Sequence, residues 1–384
     1  MPAAKRPSLS MIASAPDLHA LTERLAQEPL IAVDTESNSL FAYRERVCLI
    51  QLSTRSADYI VDPLAIDDLA PLGALFAAPH IEKVLHAAEN DIMVLRRDFD
   101  FRFVNIFDTA AAARIIGRKA VGLASMLEEF FGVVLDKRYQ RANWAARPIP
   151  PEQLDYARMD THYLPTLRDI LYEQLVRGDH LAEALETFET LTTVQQSLAQ
   201  FDPDGFWYNN HARDLSRRQM AILRELYLLR DQLAQARDVP PFKVLNDEAL
   251  AHLARRAPQT LDDLYAVQGV GNTLIARSGS ALLAAIAAGL RAPLPSRPEQ
   301  ARQDANTLAR YNALREWRKG RATARGVESD VIVPKEALWA MAENPPRNLA
   351  DLERVPSLGA WRRAQYGAAL LEVLANVPEE DVSD

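Results

Sequence analysis

Past Phe201 the chain repeats itself. "NDEALAHLARRAPQTLDDLYAVQGVG" and "PKEALWAMAENPPRNLADLERVPSLG" share "EAL", "L-x-D-L" and a closing "V-x-x-[VL]-G". The register is constant: Leu250 and Leu338, Leu261 and Leu349, Gly271 and Gly359, and Gly279 and Gly367 each stand 88 positions apart. No strand signal interrupts either copy, so the second half of the chain must hold two copies of one small helical domain. Their expected limits are 210–291 and 299–378, with "RAPLPSRPE", Arg291 to Glu299, as a three-proline linker. An acidic tail at 379–384 closes the chain and is expected to be disordered.

That leaves residues 1–200 for a different domain, as expected for a 384-residue chain, which exceeds one typical domain. Here strand-like and helix-like pieces alternate. "DLHALTERLAQ" is an amphipathic helix; "LIAVDTE", "VCLIQLST" and "DYIV" read as strands; "DDLAPLGALFAA" is again a helix. "KVLHA" and "VNIFDT" read as buried strands running into the helices "NDIMVLRRDF" and "TAAAARII". The first three strands are too closely spaced for helical crossovers, so the sheet is predicted to be mixed in an α/β domain. "EQLDYARMDTHYLPTLRDILYEQL" is predicted as a long closing helix, bent or interrupted by Pro165.

Cys48 is the only cysteine, which rules out an intrachain disulfide and a multi-cysteine zinc site and suits a reducing compartment. It falls in the apolar run "VCLIQL", where a buried, inert thiol is expected. The N-terminus has no continuous apolar core of signal-peptide length, and no later stretch is expected to supply the ~20 apolar residues of a membrane span. The expectation is a cytoplasmic protein with no membrane partner, acting as a monomer. A net charge of −8 argues against a uniformly basic nucleic-acid coat but permits local basic stripes.

The apolar strand "LIAVDTES", Leu30 to Ser37, ends in two acids. Alternation along a strand puts Asp34 and Glu36 on one face, roughly 6 to 7 Å apart. "HAAENDI" places Asp91 at the start of a helix after a strand, and "YARMD" places Tyr156 and Asp160 on one helix face. Three or four carboxylates cannot share a pocket without cations. An all-oxygen set, with no cysteine and no necessary histidine, suits Mg²⁺ or Mn²⁺.

D-x-E at a strand end, an Asp after a buried strand, and Y-x-x-x-D late in the domain together resemble the DEDD family of 3′-to-5′ exonucleases, in the subclass whose third motif carries a tyrosine. "FDT" at Phe107–Thr109 and "YQRANWAARPIP" at Tyr139–Pro150 are similar to stretches of bacterial ribonuclease D, and the helical repeat resembles the helicase and RNase D C-terminal (HRDC) domain. The resemblance implies a ribonuclease H-like catalytic domain using two divalent ions, Mg²⁺ or Mn²⁺. It also implies an exoribonuclease that releases nucleoside 5′-monophosphates from the 3′ ends of tRNA precursors and other structured RNAs. In the family pattern Asp34 would bridge both ions, Glu36 and Asp160 would complete the site that activates water, and Asp91 would support the second ion. Tyr156 would orient the attacking water. A 3′-5′ exodeoxyribonuclease, and a non-catalytic nucleic-acid scaffold, remain the alternatives.

Other residues are placed more cheaply. His86 is read as structural, Asp108 as the cap of "TAAAARII", Asp155 as solvated, and "GVG" and "SLG" as turns. "DKRYQRANWAAR" carries Lys137, Arg138, Arg141 and Arg147 with Tyr139 and Trp144, a pattern that fits backbone gripping and base stacking. From Arg310 to Arg325 a stripe including Arg315, Arg318, Lys319 and Arg321 fits RNA as well as a solvated helix face. All five catalytic candidates precede position 161, so the chemistry is expected to be separable from the repeats.

Overall fold

Six strands form one sheet: β1 Leu9–Ile12, β2 Leu30–Ser37, β3 Val47–Ser53, β4 Asp58–Val61, β5 Glu82–Leu85 and β6 Ile106–Asp108, in the order β1-β4-β3-β2-β5-β6. The computed structural model that shows them describes residues 8–194, 201–297 and 304–378; the acidic tail and the end of the proline linker lie outside the described residues. The sheet is mixed, as expected. β4 runs antiparallel to β3, while β1 pairs parallel with β4, and β2 with β5 and β5 with β6. Only a turn closed by the Thr54 N–H on the Ala57 carbonyl, at 2.9 Å, fits between β3 and β4. Helices α2 (Ala70–Phe76) and α3 (Glu89–Phe99) make the parallel crossovers. The edge strand β1 is not among the strands expected from the sequence.

Both faces of the sheet are covered, so β2 and β3 read as continuous apolar runs rather than alternating ones. Ile31 and Val33 pack with α1 (Ala15–Leu25), α2 and α3. Leu30 and Ala32 pack under α4 (Thr109–Ile115), α5 (Leu123–Phe131), α8 (Leu164–Arg177) and α9 (Leu181–Thr192). Leu49 and Ile60 pack under α6 (Pro151–Ala157), and α7 (Met159–His162) lies against β3. The predicted long helix is thus three helices, broken at Arg158 and Tyr163, with Pro165 in the first turn of α8.

The repeats follow as α10 (Arg217–Arg237), α11 (Pro241–Val244), α12 (Asp247–Arg256), α13 (Leu261–Tyr265) and α14 (Asn272–Arg291), then α15 (Ala305–Arg325), α16 (Ser329–Ile332), α17 (Lys335–Glu343) and α18 (Ala360–Ala375). The offset of 88 carries the starts of α10, α11, α12 and α14 onto those of α15, α16, α17 and α18. It also carries an internal hydrogen bond: Arg230 donates to the Leu245 carbonyl at 3.2 Å, and Arg318 to that of Val333 at 2.9 Å. Arg318 is therefore a tie within the repeat fold. By length and hydropathy α14 matches a membrane span, contrary to the sequence reading, but its apolar side is seated in the core of the first repeat.

Among the described residues, one compact unit takes in 8–36, 47–194 and 304–378, and the other 37–46 with 201–297. Within the first, the second repeat is docked on α9. Glu183, 0% exposed, meets Arg325 at 2.6 Å and Arg362 at 3.9 Å. Glu186 accepts from the backbone N–H of Trp361 at 2.5 Å and from the Arg362 guanidinium at 2.8 Å.

Candidate active site

β2 leaves the core after Val33, and its next residues supply Asp34 and Glu36, both partly open to solvent. Asp91 comes from the first turn of α3, buried, and accepts a hydrogen bond from the Thr35 hydroxyl. The turn entering α3 is held by Asp108, which accepts from the Ala87 N–H at 3.1 Å and the Ala88 N–H at 2.8 Å. The same carboxylate caps α4 through Ala110 and Ala111, at 2.8 and 2.9 Å. The cap was expected; the grip on the α3 turn was missed, because nothing local in the sequence ties residue 108 to residue 87. Three of these N–H groups meet Oδ1 and one meets Oδ2, so the carboxylate serves as a backbone tie between the two turns. His86 contacts the Thr109 hydroxyl at 2.9 Å, and burial lowers its pKa, which fits the structural reading.

Asp160 sits in the short helix α7, which is lashed to the sheet by the two residues that follow Asp160. Thr161 Oγ1 meets Ser53 Oγ at 2.7 Å, and His162 Nδ1 meets Asp58 at 3.0 Å. Tyr156, one helix earlier, lies between Trp144, stacked at 6.1 Å, and Tyr139 at 5.9 Å; Gln140 hydrogen-bonds its hydroxyl.

Trp144 is a correction: at 2% exposure it has no ring face free for a base, and it supports Tyr156 instead. Arg147 is likewise structural, joined to Asp62 at 2.7 Å and to the Cys48 carbonyl at 3.0 Å. Arg138 and Arg141 are exposed, although Arg138 pairs with Asp136 at 2.7 Å; the Lys137 side chain lies outside the described part. Asp155 is exposed, with Arg158 beside it at 3.3 Å. Arg315, Lys319 and Arg321 are exposed on α15.

The electrostatics tie the four acids together. Burial, then the charges of Asp91, Asp160 and Glu36, push Asp34 well above the carboxylate range. Glu36 is pushed to about 9 by burial, then by Asp160 and Asp91. Asp91 rises to about 7 by burial despite the Thr35 hydrogen bond, and Asp160 to about 7 by burial and Asp91. Burial and the charges of Asp160, Glu36 and Asp34 raise Tyr156, so its hydroxyl stays protonated. None of the acids' shifts comes from a lysine or arginine among the described residues.

The four are near enough to hold one another's protons on, yet among the described residues no three of their kind already converge as a ligand set. An all-carboxylate cluster with no cation of its own is the donor chemistry that fits hard divalent metals.

The α/β portion matches the 3′-5′ exonuclease family over residues 9–176, and the HRDC domain family matches twice, over 219–286 and 307–374. The fold and site thus define a 3′-5′ exonuclease joined to paired HRDC domains. Ribonuclease D of Gluconacetobacter diazotrophicus is 31% identical over 94% of this chain and 91% of its own. The exosome complex component 10 homolog of Caenorhabditis elegans is 37% identical over 69% of this chain, but that match covers only 31% of the relative. The crystal structure of Escherichia coli RNase D, described as an exoribonuclease involved in structured RNA processing, superposes with a TM-score of 0.68 at 28% identity, covering 97% of this chain and 100% of that one. The chain belongs to the ribonuclease D family, and it is a 3′-to-5′ exoribonuclease.

Proposed function

We propose that the enzyme trims the 3′ ends of structured RNAs, tRNA precursors among them, one nucleotide at a time. A water oxygen forms a new bond to the terminal phosphorus as the P–O3′ bond breaks. The products are a nucleoside 5′-monophosphate and an RNA shorter by one residue with a 3′-hydroxyl. The observation that carries this reading is the cluster of Asp34, Glu36, Asp91 and Asp160, perturbed by burial and by one another.

These four would hold two divalent cations, Mg²⁺ or Mn²⁺, which when bound lower the pKa of water and offset charge on the leaving oxygen. Tyr156 remains un-ionised, so its role is to orient the incoming water through its hydroxyl rather than to take its proton. Trp144 and Gln140 fix the ring and the hydroxyl for that task. Arg138, Tyr139 and Arg141 would meet the RNA near Tyr156, and the exposed Arg315, Lys319 and Arg321 would meet it on the second repeat. We place the enzyme in the cytoplasm as a monomer, in keeping with its single buried cysteine.

The test is purified protein with 3′-labelled RNA and its DNA counterpart, with EDTA, Mg²⁺ or Mn²⁺. Labelled mononucleotide should appear first, from RNA, and only with metal. Cleavage in EDTA, or faster release from DNA, would overturn the assignment.

A further inference from the structure

α7 is a single turn, and it carries Asp160. A helix that short has no cooperative stability of its own, so its seat decides where the carboxylate points. The other acids work against that seat. Without cations the charge of Asp160 bears on Asp34 and Glu36, and that of Asp91 on Asp160. Unopposed, that repulsion would swing the turn outward.

The side-chain ties of Thr161 and His162 that oppose it both end on one residue, Asp58. Its backbone is fixed between two neighbours, opposite Leu9 of β1 and Ser53 of β3. Its carboxylate, 1% exposed, accepts from Ser53 Oγ at 2.8 Å and faces His162 Nδ1 at 3.0 Å. A carboxylate only accepts, so Nδ1 must carry a hydrogen, and the single hydroxyl hydrogen of Ser53 is committed to Asp58. The Thr161 hydroxyl, 2.7 Å from Ser53 Oγ, must then be the donor to it. Two chains thus run from the residues after Asp160, one direct and one through Ser53, into the same buried carboxylate, 104 positions from His162.

We propose that Asp58 is a positioning residue for Asp160, holding α7 against the repulsion so that this carboxylate is already set when a divalent cation arrives. Burial keeps Asp58 itself from metal and RNA. A plain packing role would cost stability and nothing else. The inference rests on the reading that the four acids hold the ions, and it names what outside the cluster orients one of them.

Mn²⁺ binding to the full-length, RNA-free protein at 25 °C is followed by the EPR signal of free Mn²⁺, alongside cleavage of a short single-stranded RNA against Mg²⁺ and metal-free thermal melts. Asp58→Ala should raise the Mn²⁺ Kd and the half-activating Mg²⁺ by about tenfold, the low end for losing a residue that orients a metal ligand, with KM for RNA at saturating Mg²⁺ unchanged. His162→Ala cuts one chain, leaves the other, and should raise both by less. His162→Asn, whose amide N–H stands where Nδ1–H does, should restore the parent values. Because both residues act through one tie, Asp58→Ala with His162→Ala should bind Mn²⁺ as Asp58→Ala does alone.

Should Asp58→Ala not fold, the two His162 variants decide alone. A lower melting temperature with unchanged Mn²⁺ Kd and Mg²⁺ requirement in His162→Ala overturns the inference. So does a KM for RNA that rises while metal binding holds, or losses that add in the double variant. If the parent binds no Mn²⁺ and cleaves in EDTA, the metal reading itself falls, a separate result that takes this inference with it.

Discussion

Asp34 and Glu36 repel each other, and Asp91 and Asp160 add to it. Because these carboxyls are raised by burial and mutual charge, the folded chain keeps protons that the unfolded chain has released. The sign follows: from the ordinary carboxylate range up to about 7 to 9, stability of the metal-free protein falls as pH rises. Asp34→Asn removes one charge of the four, so in EDTA it should be at least as stable as the parent at pH 8, with a flatter pH dependence, while metal-dependent cleavage is lost. Urea denaturation at pH 6 and pH 8 measures this; a parent that is more stable at pH 8 without metal would mean the acids are not clustered. Tyr156→Phe keeps the packing on Trp144 and should lower kcat by roughly 10²- to 10⁴-fold with KM nearly unchanged. A rise in KM alone would make Tyr156 a substrate contact.

At the scale of elements, the repeats show what one sequence pattern can hide. Gly269 and Ser357 occupy equivalent turns, and both have positive φ, +85° and +59°. Ser357→Gly should therefore stabilise the second repeat by about 0.5 to 1 kcal/mol, the left-handed strain outweighing the added freedom of the unfolded chain. Gly269→Ser should destabilise the first by about 1 kcal/mol or more, since its Cβ would also meet the Ala249 methyl at 3.1 Å. Thermal melts of the two variants should move in opposite directions; shifts of one sign would remove backbone strain as the cause. Strands β2 to β6, the crossover helices and the 88-residue register were legible because apolar spacing and loop length report them directly. The break at Tyr163, just before Pro165, was legible from the proline, whereas that at Arg158 was not, for Arg158 keeps helical dihedrals. Trp144 was misread for a related reason: an aromatic beside arginines looks the same whether its ring faces solvent or Tyr156.

For the whole molecule, the basic stripe on α15 read as one surface because the acids that meet part of it lie far away in sequence. Glu183 is 142 residues from Arg325, and no local pattern announces that pairing. Local charge therefore showed where cations cluster and not which of them close an interface. The same docking reaches toward the site, since α9 ends where Arg96 of α3 donates to the Thr192 carbonyl at 2.8 Å, and α3 carries Asp91. The five catalytic candidates all precede the repeats, yet the second repeat shares a compact unit with them, so removing it would strip α9 of its cover. Arg325→Ala isolates the electrostatic part of that contact. It leaves Glu183 buried with only the longer contacts to Arg362 at 3.9 Å and His180 at 3.8 Å, and should cost about 3 kcal/mol, the scale of a broken buried pair. Glu183→Leu combined with Arg325→Met should recover most of the loss, because an apolar pair of similar size needs no desolvation of charge. Urea midpoints of the two variants give the comparison, with cleavage of a short single-stranded RNA at 25 °C as the control for an intact site. If Arg325→Ala unfolds at the parent's midpoint, the second repeat is tethered rather than docked, and the catalytic domain stands without it.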